Sequence, residues 1–130
     1  MGISEKATEL HESGFNCAQS VLCSCGKYTG FDDKTALAVS GGFGGGIRCG
    51  EVCGALSGAV MALGLAYPYT NGEDKDAKDK IAKLTKKCTA DFKERFGCVR
   101  CLQLKRAKRS CKELIEYAAE LAEKIITENE

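Results

Sequence analysis

The chain of 130 residues has one histidine, one proline and no tryptophan, and its charges almost cancel, with 19 Lys and Arg against 18 Asp and Glu. A single histidine cannot build a Cys2His2 zinc finger. A formal charge of +1 creates no global field favouring nucleic acid or an anionic membrane as partner, which leaves only local patches to consider. No segment supplies the roughly 20 apolar residues that a membrane-spanning helix needs, because the longest run, residues 55–67, is interrupted by Ser57, Gly58 and Gly64. The opening MGISEKATEL lacks the apolar centre of a signal peptide. Its Met-Gly start with Lys6 is only a faint acylation signal and is set aside. A soluble, cytoplasmic protein is expected. No segment alternates apolar and polar residues between hairpin turns, so strands are not expected.

What the chain does have is 15 glycines and nine cysteines. An odd number of cysteines in a chain expected in the reducing cytosol is not a permanent disulfide framework. The remaining roles are metal ligand, redox-active thiol or small buried hydrophobe. Burial is the default for any one cysteine but a poor default for all nine.

Apolar periodicity predicts a compact, single-domain, all-α bundle of about five main helices spanning residues 1–130. Ile3, Ala7 and Leu10 mark a short amphipathic helix over Ser4–Ser13, on which His11 is the sole candidate imidazole base, with solvated surface among Glu9, Glu12 and Ser13 as the favoured reading. Asn16 and Gln19 form a capping-box variant that places Cys17 first in a second helix, where Cys25 is expected in the core. A third helix starts at Asp32 or Asp33. The glycine-rich stretch 41–50 reads as a turn feeding a central, tightly packed helix from about Glu51 to Leu65, which the Tyr67-Pro68 step stops. Cys53 then lies in that helix's first turn. Ala77, Ile81, Leu84, Cys88 and Phe92 define the buried face of a long helix ended by Gly97. The capping box Ser110-Cys111-Lys112-Glu113 places Cys111 first in the last helix.

Three cysteines from distant parts of the chain, Cys17, Cys53 and Cys111, therefore fall at predicted helix starts. Unpaired N–H groups there stabilise a thiolate by about 0.3–1 kcal/mol, and the thiolate is both the reactive and the metal-binding form. Cys98 and Cys101 form a CxxC, which can close a redox disulfide or clamp a metal; no His follows it, so it is not a c-type haem site. Glu51 fits a helix start first and a proton acceptor near Cys53 second. The glycine run lacks the Lys-Ser/Thr of a phosphate loop and no strand precedes it. Gly45, Gly46, Gly50 and Gly54 remain the candidates for close approach of a cofactor, and helix packing is the favoured alternative. The basic run Lys105–Arg109 would favour a thiolate or an anionic substrate, with solvated surface as the plainer reading.

Asn16-Cys17-Ala18-Gln19, the segment Gly50-Glu51-Val52-Cys53-Gly54-Ala55-Leu56-Ser57-Gly58, and Cys101 with Cys111 together resemble the family of redox-active proteins named for its C_GCAxxG_C_C cysteine pattern, which includes a CGAxxG segment. The similarity spans nearly the whole chain. It implies a small helical bacterial or archaeal protein with four characteristic cysteines, here Cys17, Cys53, Cys101 and Cys111, a redox role, and association with a transporter system. The chain is also similar to a domain of certain multihaem cytochromes that carries a cysteine-ligated iron–sulfur centre. Three functions follow as expectations. The first is thiol/disulfide chemistry by the four cysteines, with Cys53 as a low-pKa nucleophile, Glu51 beside it, and a redox partner protein or small thiol as reactant. The second is an iron–sulfur cluster or zinc held by the same four cysteines. The third is a non-catalytic interaction protein. Cys23, Cys25, Cys49, Cys88 and Cys98 lie outside the pattern.

Overall fold

A computed structural model describes residues 2–129. Its described residues form eight α-helices: α1 (Ile3–Glu12), α2 (Cys17–Ser24), α3 (Gly26–Thr29), α4 (Asp33–Ser40), α5 (Gly54–Ala66), α6 (Lys75–Phe96), α7 (Cys101–Arg106) and α8 (Cys111–Glu128). A wide turn at Gly46–Gly50 separates α4 from α5. The class is all-α, as the periodicity predicts. Six of the eight are the helices whose starts or faces the sequence marks, one more than the expected five, and the turn expected at Gly26 and the short piece after Gly97 add α3 and α7. Among the described residues no helix is long and apolar enough to cross a membrane.

Helix α5 takes the middle because it is apolar on nearly every face. It packs against α2, α8, α6 and α3, burying Ala55, Leu56, Ala59, Ala62 and Leu63. Its small residues set the separations. A Cβ on Gly58 would stand 2.7 Å from the Ala18 carbonyl oxygen and 3.1 Å from Val21 Cβ, so α2 and α5 touch almost backbone to backbone. The two long outer helices show cleaner amphipathic stripes. In α6, Leu84, Cys88, Phe92 and Phe96 recur every fourth residue and are the buried positions, and Gly97 ends the helix in the left-handed region at φ 87°. Phe96 lies between Phe92 and Tyr117, with ring centroids 4.9 and 5.3 Å away, joining α6 to α8.

Both predicted capping boxes form. Asn16 accepts from the Gln19 amide while Gln19 Oε1 accepts from the Asn16 amide, and Ser110 and Glu113 exchange the same pair of bonds. Asn16 and Gln19 also donate to the carbonyls of Gly41 and Leu37, each at 3.0 Å, so the start of α2 holds the end of α4.

The glycine-rich stretch departs from a simple turn. Gly45, Gly46, Ile47 and Arg48 all lie at positive φ, between 59° and 65°. Four left-handed residues in succession cost roughly 1–2 kcal/mol for each one that is not glycine. Ile47 and Arg48 carry that cost at the surface, where Ile47 is 54% exposed. No composition rule places them there. The turn also delays α5, which starts at Gly54, three residues later than the expected Glu51.

Candidate functional site

Four cysteines stand at four helix starts. Cys17 and Cys111 are the first residues of α2 and α8, Cys101 is the first of α7, and Cys53 caps α5 rather than lying inside its first turn. The segments carrying Cys53 and Cys101 are locked together by an isolated antiparallel bridge between Val52 and Arg100. The Cys53 amide donates to the Val99 carbonyl at 2.8 Å and the Cys101 amide to the Glu51 carbonyl at 2.6 Å. Because side chains alternate across a bridge, Val52 and Arg100 face one side while Cys53 and Cys101 lie on the other as diagonal neighbours. Cys17 approaches from α2. Its Sγ is the atom that a Cβ on Gly54 would strike first, so the sulfur rests on the backbone at the start of α5.

The result is one cavity of about 140 Å³ lined by Cys17, Cys53, Cys101 and Cys111 together with His11, Lys105 and Arg109. Exposure is graded. Cys53 and Cys101 are 3% and 9% exposed, Cys17 is half-buried and Cys111 is open to solvent. Among the described residues no carboxylate lines this cavity. Arg109 is held with its guanidinium 5.5 Å from the centre of the Phe96 ring.

His11 was expected on the solvated side of its helix. It lines the cavity instead, because the end of α1 packs beside the starts of α2 and α8. Its Nδ1 lies 3.0 Å from the Phe15 carbonyl oxygen. A carbonyl can only accept, so Nδ1 carries the proton of the neutral ring and Nε2 keeps a free lone pair.

The thiol environment corrects the expectation of an activated Cys53. Burial pushes its pKa up to about 12, although the Leu56 and Ala55 amides at the open end of α5 pull the other way. The neighbouring Cys17 and Cys101 add to the rise. Desolvation outweighs the helix terminus here, since the terminus is worth only about 0.3–1 kcal/mol. The Cys111 thiol is also raised, first by packing around its sulfur and then by Cys17, with Lys105 opposing.

Glu51 is placed elsewhere. Its carboxylate is about half exposed and pairs with Arg100 Nε at 3.2 Å, and it does not line the cavity. Of the four glycines singled out, only Gly45 lines it. Gly46 would strike the Glu51 backbone with any Cβ, Gly50 would come 3.1 Å from Leu102 Cβ, and Gly54 would strike Cys17, so these three serve close packing. The other cysteines stand apart from the cavity. Cys23, Cys25 and Cys88 are buried and burial raises their pKa to about 11, 12 and 12. Cys49 is exposed and donates to the Gly46 carbonyl, and Cys98 is half-buried.

Among the described residues no group of three or more His, Cys, Asp and Glu side chains is disposed to hold a metal ion. The four cysteines border a shared space. As arranged they do not fit a metal centre, and no chemical step is derived through one.

A family described as "Putative redox-active protein (C_GCAxxG_C_C)" matches residues 15–125. The chain belongs to this family. The matched span contains all four cavity cysteines and excludes His11 on α1. Neither a curated protein nor a solved structure matches the chain. As a C_GCAxxG_C_C protein it carries a redox description in which no reaction is specified.

Proposed function

We propose that the cavity carries out thiol–disulfide exchange, with Cys111 as the entry thiol, Cys17 as its resolving partner and His11 as the proton acceptor. The observation that carries this reading is the graded exposure of four thiols around one space that also holds an imidazole with a free Nε2. A raised Cys111 thiol is protonated near neutral pH, so attack requires a base. His11 supplies it.

The exchange balances as follows. Cys111 gives its proton to His11 and its sulfur attacks one sulfur of a disulfide. The substrate S–S bond breaks, and the leaving thiolate takes that proton. Cys17 then loses its proton to the same imidazole and attacks Cys111 Sγ, releasing the second half of the substrate as a thiol. Two electrons pass from the protein to the substrate, and the chain is left with a Cys17–Cys111 disulfide. The reverse sequence oxidises a dithiol. Cys53 and Cys101, buried behind this pair, form a reserve dithiol that exchange can oxidise in turn.

The test uses reduced protein in a Cys49→Ser background, which removes the exposed thiol outside the cavity. Reaction with 2-hydroxyethyl disulfide is expected to release two equivalents of 2-mercaptoethanol. His11→Gln is expected to slow the reaction about 10²-fold near neutral pH, the low end of general-base effects. His11→Asn, whose amide is shorter, should behave alike. An unchanged rate in both variants overturns the role of His11, and failure to release thiol overturns the exchange.

A further inference from the structure

We infer that the cavity selects small anionic disulfides, those whose reacting sulfurs carry short carboxylate arms, over neutral or cationic ones. This rests on the exchange reading above and names its substrate class. Among the described residues the lining contains two cationic side chains, Lys105 and Arg109, and no carboxylate. Neither cation has an ion-pair partner among the described residues. Arg109 is also pre-positioned, because its guanidinium rests on Phe96 and its amide is tied to the Leu104 carbonyl at 3.0 Å. Carboxylate arms would meet a guanidinium suited to two-point recognition and an ammonium suited to point-charge attraction.

The alternative use of these cations is to stabilise the cavity's own thiolates. The raised Cys53 and Cys111 thiols argue against that, since the sulfurs rest in the neutral form and leave the positive charge uncompensated. Size points the same way. About 140 Å³ equals roughly four or five liquid-water volumes at about 30 Å³ each. One half of a short-armed disulfide fits such a space with the other half toward the mouth at Cys111, whereas a folded chain reaches only Cys111 itself.

The experiment compares three disulfides of similar length on the reduced Cys49→Ser protein: 3,3′-dithiodipropionate (anionic), 2-hydroxyethyl disulfide (neutral) and cystamine (cationic). Each rate is divided by that of the same disulfide with free 2-mercaptoethanol, which removes differences in leaving-group chemistry. The normalised anion-to-cation ratio is expected to be about tenfold or more at low salt and to shrink as salt rises. Lys105→Gln with Arg109→Gln should bring it close to one. Lys124→Gln makes a single change of the same sign thirteen residues along α8 from Cys111, roughly 20 Å away, and should leave the ratio unchanged. Equal normalised rates, or preference for cystamine, overturn the charge selection while the exchange reading stands. No reaction with any of the three overturns the exchange reading and this inference with it.

Discussion

Gly54→Val is expected to lose both stability and cavity chemistry. Any side chain at this position collides with Cys17 Sγ, and its Cβ would also stand 2.9 Å from the Phe43 carbonyl oxygen. The sulfur can rotate away but the backbone carbonyl cannot, so α5 must move from the turn before it. Overpacking of this kind costs about 1–3 kcal/mol and more where backbone is struck, against a total of about 5–15 kcal/mol for a domain. Gly58→Val belongs to the same class, with its Cβ 2.7 Å from the Ala18 carbonyl oxygen. Gly64 provides the control within the same helix: a Cβ there meets nothing within 4 Å, so Gly64→Ala should gain up to about 1 kcal/mol from helix propensity. Urea midpoints of the three variants check this. A Gly54→Val or Gly58→Val protein as stable as the parent would remove the packing explanation. Because Cys17 is displaced, Gly54→Val should also lose the two-thiol release of the parent even where it remains folded.

The second large effect concerns which thiols react. With its pKa pushed up to about 12, Cys53 holds roughly one thiolate in 10⁴ molecules at pH 8, against about one in four for an unperturbed thiol near 8.5. Its alkylation by iodoacetamide should therefore be at least about 10³-fold slower than that of a free thiol, with burial slowing it further. Cys25 and Cys88, also near 12, should behave alike. Cys111 and Cys49, the exposed pair, should label first, with half-buried Cys17 and Cys98 next. Cys23, Cys25, Cys53, Cys88 and Cys101 should wait for denaturant. Between pH 7 and 10 the Cys53 rate should climb about tenfold per pH unit, as expected below its pKa. Peptide mapping after timed alkylation reads all nine positions at once. Early modification of Cys53 would restore it as the nucleophile and contradict the desolvation argument.

Much of the fold is written locally. The two capping boxes at Asn16 and Ser110 depend on side chains three residues apart, so the starts of α2 and α8, and with them the register of Cys17 and Cys111, follow from sequence. Leu84, Cys88, Phe92 and Gly97 likewise specify the buried face and end of α6. What escaped depends on contacts between distant segments. The start of α5 is set by the Val52–Arg100 bridge and by four left-handed residues, two of them ordinary L residues that local rules would never place there. Glu51 has the charge expected of a helix start, but its half-exposed carboxylate pairs with Arg100 instead. His11 sits among Glu9, Glu12 and Ser13 in sequence, which reads as solvated surface. Only the packing of α1 beside α2 and α8 brings it to the cysteines. Its one legible sign is the helix stop at Gly14, which returns the Phe15 carbonyl to within reach of the ring four residues earlier. Cys53 does stand at a helix terminus, but desolvation, which no local sequence pattern reports, outweighs the terminus there.

The most direct measurement is to oxidise the folded, reduced protein with 2-hydroxyethyl disulfide, block the remaining thiols, digest without reductant and locate the bond. The predicted result is a Cys17–Cys111 disulfide within one chain, formed first, with any Cys53–Cys101 bond appearing later. A first bond that joins Cys49 or Cys98 to another residue, that links two chains, or that never forms would contradict exchange at the cavity.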